Sequence, residues 1–248
     1  MVKKGCKEMR ERTDKSKIKA GRGILNAESY EAWKTSREAK SVGTSCAVYD
    51  PIQQRTVNLL SVGEKKTFYV LRYLTDGMIL EQFPMAPALI DSICLELGLR
   101  RYTKILSTDF LVEKPDGGLV AISVKPSRST YCTKTNHYLR NMNRKTVEEL
   151  YWAHYQIPHT TVFSDEIEPD YAWNIKDILL YYEERFVKDK VTMLMHLMAH
   201  HVVTLPLDCG RLPFKELAEK IPVEEYYDAY QKNRGNPNFH GWIHYLDK

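Results

Sequence analysis

Asp109 and Lys125 stand in two strand-like segments of "STDFLVEKPDGGLVAISVKPS", residues 107–127. An aspartate and a lysine in otherwise apolar strands, joined by a glutamate, suit one kind of chemistry. Carboxylate oxygens hold a hard divalent cation, the cation activates water beside a phosphodiester, and the lysine steadies the developing charge. Spacing decides whether these groups can meet. Side chains alternate faces along a strand, so the apolar even positions Phe110, Val112, Val120, Ile122 and Val124 form a core face. The odd positions Asp109, Glu113, Ser123 and Lys125, with Leu111, Leu119 and Ala121, form a working face. A three-residue loop, Pro115-Asp116-Gly117, keeps even residues opposite even ones. It sets Asp109 across from Ser123, with Lys125 two residues further on the same face. A two-residue Asp116-Gly117 turn would oppose Asp109 to Val124 and split the apolar face, so the pattern selects the longer loop. The plain alternative is a cross-strand ion pair on a solvated face, worth a few tenths to about 1 kcal/mol.

Glu64 is the matching glutamate. It precedes Phe68 and Leu71 by four and seven residues, so all three share a helix face and Glu64 points toward the sheet. The competing role is local: Ser61 and Glu64 spell a capping box, S-x-x-E, in which Glu64 only closes the helix start. Glutamate on a helix, aspartate on a strand and x-x-Lys on the next strand is the pattern of restriction-endonuclease-like nucleases. Position 123 departs from it, with Ser where Asp or Glu is usual.

The elements that must carry these residues are legible. "AVYDPIQQRTVNLLS" alternates as a strand pair. "SVGEKKTFYVLRYLTDG" is a helix stopped at Gly77. "MILEQFPM" is a strand ended by Pro84, and "APALIDSICLELGL" a helix closed by Gly98. After the hairpin come a helix, "RKTVEELYWAHYQ", and a strand, "TTVFSD". Pro169 sits in an acidic, linker-like stretch. Beyond it "IKDILLYYEERF", "KVTMLMHLMAHH", "PFKELAEKI" and "PVEEYYDAYQKN" read as helices and "GWIHYL" as a closing strand, the pattern of a winged-helix-like module. The expected organisation is a basic arm (1–22), an α/β catalytic domain with a mixed sheet (23–167), and a smaller, mainly helical domain (168–248).

The composition excludes several classes. With 43% hydrophobic and 27% charged residues the chain can bury a sizeable core. It has no run of the roughly 20 apolar residues that a membrane span needs, and its start lacks the apolar stretch of a secretory signal. Five scattered cysteines without a CxxC suit reduced thiols and a cytoplasmic protein. Residues 1–22 hold nine Lys/Arg against three acids, an excess that favours phosphate contacts by Lys3, Lys4, Lys7, Arg10 and Arg12 or else makes a solvated tail.

The segment from about residue 15 to 165 resembles TnsA, the endonuclease subunit of heteromeric bacterial transposases. The resemblance rests on "GRG" (21–23), "YEAW" (Tyr30, Trp33), "SREAKSVG" (Arg37, Glu38, Ser41, Gly43), "LLSVGEKKTFYVLRY", "ILEQFP" (Glu81, Gln82, Phe83, Pro84), "STDFLV", "VKPS", and "YW" (151–152) followed by "IP". It implies a restriction-endonuclease-like core with Glu64, Asp109 and Lys125 at the catalytic positions. It implies Mg²⁺, with Mn²⁺ able to substitute, held by Glu64, Asp109, the Val124 carbonyl or a water, and weakly by Ser123. That family also lacks a carboxylate two residues before the lysine and commonly has Gln there, so Ser123 departs from it less than from restriction enzymes. The implied activity is cleavage of the 5′ strands at DNA transposon ends. The implied partners are a DDE-type transposase that cuts the 3′ strands and an AAA+ ATPase regulator; the C-terminal domain would touch that regulator, DNA, or both.

Other residues offer weaker candidates. His196 and His200 lie one helical turn apart, but a zinc peptidase motif needs Glu at 197, where the chain has Leu. His240 and His244 share one face of the last strand. A helix-turn-helix over "LPFKELAEKIPVEEYYDAY" would offer Glu224, Glu225 and Asp228 to DNA, which suits protein contact better than base reading. Two other functions stay open: a stand-alone restriction-type or junction-resolving nuclease, and a non-catalytic DNA-bound adaptor.

Overall fold

The computed structural model describes residues 13–24, 29–39, 44–134 and 137–244. Lys3, Lys4, Lys7, Arg10 and Arg12, the expected DNA contacts, lie outside the described residues, as do Ser41 and Gly43, whereas residues 13–22 of the expected basic arm are described and bury Lys17 and Arg22. The chain forms two compact units. The first comprises residues up to Lys65 and Gly77–Phe163, and the second comprises Lys66–Asp76 and Ser164–Lys248.

The first unit is mixed α/β. Helix α1 (Asp14–Lys19) is followed by hairpin β1 (Cys46–Asp50) and β2 (Arg55–Leu59), and then by helix α2 (Val62–Leu74), whose last turns belong to the second unit. Strand β3 (Ile79–Pro84), helix α3 (Pro87–Glu96), strands β4 (Ser107–Glu113) and β5 (Leu119–Lys125), helix α4 (Tyr138–His154) and strand β6 (His159–Phe163) complete it. The sheet runs β3-β4-β5-β6, antiparallel except for the β5–β6 pair, which is parallel.

The β4–β5 register is the one that the apolar pattern selects: Phe110 faces Ile122, Leu111 faces Ala121 and Val112 faces Val120. The Lys114 amide donates to the Gly118 carbonyl at 2.8 Å across the loop Pro115-Asp116-Gly117. Gly117 takes φ +80°, the left-handed position that a three-residue hairpin loop needs.

The odd face is core along its middle, so the alternative of an ion pair on a solvated face does not describe it. Leu111 and Ala121 are buried in a cluster with Ile90 and Ile93 of α3 and Val147, Tyr151 and Trp152 of α4. The reason is topological. A parallel β5–β6 pair needs a crossover, the crossover is α4, and its apolar stripe must lie on the sheet. Both faces of the hairpin are therefore core along its middle, and only the end carrying Asp109, Ser123 and Lys125 is left for chemistry.

Strand β3 breaks its alternation. Leu80 and Met85 belong to the same cluster and Phe83 packs against it, although residues 80 and 83 of a regular strand face opposite ways. The switch is Gln82, with φ +49°, a left-handed conformation that a long side chain adopts only under constraint. The preceding segment is laid along this strand. The Trp33 amide donates to the Gln82 carbonyl at 3.3 Å and the Gly23 amide to Glu31 at 2.8 Å. A Cβ on Gly23 would come within 2.2 Å of the Pro84 ring, so the "GRG" glycine permits this approach. Arg22 and Lys17 pair with Glu38 at 2.8 and 3.6 Å.

The second unit is mainly helical: α5 (Pro169–Leu179), α6 (Lys190–Ala199), α7 (Phe214–Lys220) and α8 (Val223–Asn233), with two-residue strands β7 (Val203–Thr204) and β8 (Trp242–Ile243). Pro169 opens α5 rather than sitting in a linker, since proline suits a first helical turn that has no intrahelical use for its amide. The helix expected over 175–186 ends at Leu179, and Glu184–Phe186 forms a separate 3₁₀ turn. Asp189 caps α6 by accepting from the Thr192 amide at 2.9 Å. The closing strand pairs in parallel with β7, and a Cβ on Gly241 would meet the Val202 carbonyl at 1.9 Å. No described helix is long and apolar enough to cross a membrane.

Candidate active site

Glu64 sits in the first turn of α2, where it both closes the helix start and faces the sheet. Its amide donates to Ser61 Oγ at 3.0 Å, and its carboxylate accepts from Ser61 Oγ at 3.3 Å and from the Leu60 amide at 2.9 Å. The same carboxylate reaches the sheet. Gln82 Nε2 donates to Glu64 Oε2 at 3.4 Å and to Asp109 Oδ1 at 3.3 Å, so one amide spans two carboxylates. Ser107 Oγ donates to Gln82 Oε1 at 3.0 Å and orients that amide. The left-handed backbone at Gln82 thus lies beside Asp109, where β3 and β4 leave one position of their ladder unpaired.

Asp109 is anchored from the other side. Its Oδ2 accepts from the Val124 amide at 2.7 Å, just past the last β4–β5 pair at Phe110 and Ile122. The Val124 backbone is thereby set next to Asp109. Burial pushes Glu64 up to about 7, and the Asp109 charge adds to the rise, outweighing the hydrogen bonds from Leu60, Ser61 and Gln82. A buried and a half-buried carboxylate held together by an amide gain from a cation between them.

Lys125 and Asp109 line one cavity of about 520 Å³. Ser123 is buried and does not line it. Its hydroxyl donates to Glu148 Oε2 at 2.6 Å and lies 3.1 Å from His159 Nε2. Glu148, on α4, also accepts from Arg144 Nε, and Arg144 Nη2 donates to the Ser107 carbonyl at 3.0 Å. Burial alone would raise Glu148, but Arg144, Lys125 and the Ser123 hydroxyl together hold it below the usual carboxylate range. Burial pushes His159 down, favouring its neutral ring. A carboxylate therefore reaches the Ser123 position in space, supplied by the helix rather than the strand.

Lys34 was not singled out in the sequence, yet it belongs here. It lines the same cavity. Burial and then the Arg144 charge push its ammonium down, while Asp109 and Glu64 pull it up. Gln82 and Glu148 were also missed as site residues. A polar residue inside the buried run "ILEQFP", and a glutamate beside Val147 on the apolar stripe of α4, are signals that could have found them. For Lys34, in an irregular segment, no comparable signal exists.

His196 of α6 and His200, which caps its C-terminus, lie in the second unit with their rings 4.6 Å apart. His196 Nδ1 is 2.7 Å from the Tyr181 carbonyl and His200 Nε2 is 2.9 Å from the Tyr182 carbonyl. Among the described residues no three of His, Cys, Asp and Glu converge on one metal position. A metal at Glu64 and Asp109 would complete its shell with backbone carbonyls and water. Compared with known proteins, the chain matches no family model and no curated protein.

Proposed function

We propose that the chain is a metal-dependent DNA endonuclease, the subunit of a heteromeric transposase that cleaves the 5′ strands at transposon ends. The single observation that carries the reading is the Gln82 amide bridging Glu64 and Asp109 at 3.4 and 3.3 Å, with Glu64 raised to about 7. This donor set, two carboxylates with no thiolate or imidazole between them, suits hard Mg²⁺ or Mn²⁺. When bound, such an ion stabilises charge on a phosphate and lowers the pKa of water. Glu64 and Asp109 would hold it, Gln82 would fix their separation, and the Val124 amide would fix the Asp109 rotamer. Lys125 would meet the phosphate charge that develops during cleavage. Glu148, charged and clamped by Arg144, supports the acidic end of the site where Ser123 lacks a carboxylate.

The mixed four-stranded sheet, with catalytic residues on α2, β4 and β5, supports a restriction-endonuclease-like core, and the helical unit closed by a terminal strand a winged-helix-like interaction module. That module is the part we assign to an AAA+ ATPase regulator. Among the described residues no base-reading helix stands out, so end specificity falls to a partner DDE transposase. The test is cleavage of a transposon-end duplex with Mg²⁺, with and without the adjacent transposase, and sequencing of insertion products in cells. In Asp109→Ala the partner still joins 3′ ends, so the expected change is from simple insertions to donor–target cointegrates. Unchanged simple insertions would refute the reading.

A further inference from the structure

The cavity beside Asp109 is built for more than one phosphate. Six cations and three carboxylates line it, although the whole chain carries a net charge of only +4. Several of the cations are already committed, Lys104 among them. Lys17 pairs with Glu38 at 3.6 Å, and Arg144 is taken by Glu148 and the Ser107 carbonyl. Lys34 and Arg140 have no hydrogen-bond or ion-pair partner among the described residues. They also come from separate elements. Lys34 is delivered by the segment fixed through the Trp33–Gln82 backbone bond, with Trp33 itself buried. Arg140 lies four residues before Arg144, on the same face of α4.

A half-buried ammonium left unpaired is costly to keep, and the burial that lowers the pKa of Lys34 reflects that cost. The nearby Asp109 and Glu64 charges are already directed at each other through Gln82 and accept no bond from Lys34. An anion entering the cavity would relieve the cost. Beyond Asp109 and Lys125 the cavity is also lined by Tyr102, Lys104 and Asp14. Its volume of about 520 Å³ falls within the roughly 300–1,000 Å³ of sites that enclose a small ligand. Tyr102 and Trp33 on its wall add apolar rings beside the charges.

We infer that this cavity is a track for the sugar-phosphate backbone of one DNA strand next to the cleaved bond, with Lys34 and Arg140 as positioning residues that neutralise the neighbouring phosphates. The inference rests on the nuclease reading for its placement, but it concerns binding and can be tested without cleavage. Backbone neutralisation is independent of sequence, and each contact removed flattens the salt dependence of binding by about 0.7 for a single strand and about 0.9 for a duplex.

The experiment measures fluorescence anisotropy of the full chain with single-stranded and duplex oligonucleotides in EDTA, from 50 to 200 mM salt. Lys34→Ala and Arg140→Ala should each weaken binding several-fold whatever the sequence, and lower the log–log salt slope by that increment. The double variant should lower it by about twice as much. Lys34→Arg should restore both affinity and slope, which a role in folding alone would not require, and circular dichroism checks that each variant is folded. Unchanged affinity and slope in the double variant, or no measurable binding by the unsubstituted chain at low salt, would overturn the inference. A Mg²⁺ cleavage assay on the same proteins separates the two readings. If binding depends on Lys34 and Arg140 but no DNA is cut even with the partner transposase, the nuclease reading fails and the track stands. If the double variant binds and cuts like the unsubstituted chain, the track fails and the nuclease reading stands.

Discussion

Glu81 and Glu64 are both buried glutamates at strand β3, and their surroundings differ in kind. Glu81 is 1% exposed and fully answered: Arg55 Nη2 pairs with it at 2.7 Å, and the Asn58 amide donates to it at 2.9 Å. Glu64 also accepts backbone and hydroxyl bonds, but the charge that raises it is the carboxylate of Asp109. The neighbouring residues Glu81 and Gln82 thus open onto opposite situations. One holds β2 to β3 with a closed ion pair. The other keeps two like charges in reach of each other and of a cavity with unpaired cations. A compensated buried charge serves architecture; an uncompensated one stores free energy that a ligand can release.

The largest expected effect tests the uncompensated pair. Asp109→Ala should lower DNA cleavage by on the order of 10³-fold, the scale of losing a group that stabilises transition-state charge, while leaving the fold intact by circular dichroism. The Arg55→Met variant tests the compensated pair. It leaves Glu81 buried and alone, and denaturant unfolding should show a loss of about 3–5 kcal/mol. If Arg55→Met were tolerated and Asp109→Ala unfolded the protein, the comparison would be inverted.

Glu64 gives a sharper, pH-dependent contrast. Its carboxyl holds a proton in the folded chain up to about pH 7, whereas an ordinary glutamate releases it near 4.5. Between those values the folded state binds more protons, so this contribution to stability is greatest at low pH and declines as pH rises toward 7. Glu64→Gln should therefore be more stable than the parent above pH 7, by up to about 3 kcal/mol at about 1.4 kcal/mol per unit. Thermal melts from pH 5 to 8.5 measure it. Adding Mg²⁺ at pH 8 should stabilise the parent and leave Glu64→Gln nearly unchanged. A parent that gains stability with rising pH through this window would contradict the assignment.

The smallest effect comes from the second unit and has the opposite sign. Burial pushes both His196 and His200 below the ordinary histidine value, so their contribution is full above about pH 6.5 and is lost as pH falls. Amide exchange followed by peptide should show α6 loosening on acidification while β3–β5 do not loosen with it. His200→Phe, which keeps an aromatic ring against Tyr182 and Tyr230, should reduce that acid sensitivity.

The sequence by itself determined whatever depends on neighbours in the chain. The hairpin register, its three-residue loop, the α2 start at Ser61 and Glu64, and most helices and strands follow from alternation, periodicity and capping, which act over a few residues. The tertiary structure decided what lies on the far side of each face. That Leu111 and Ala121 are core rather than surface depends on α4 crossing over the sheet, which no strand pattern encodes. Glu148 reaches Ser123 across 25 residues, Gln82 spans Glu64 and Asp109 from a third element, and Lys34 arrives on an irregular segment pinned to β3. Local spacing can nominate Glu64, Asp109 and Lys125. Only the packed sheet decides which charges are answered and which are left for a ligand, because the energy of a buried charge is set by groups that the chain brings near it from far away.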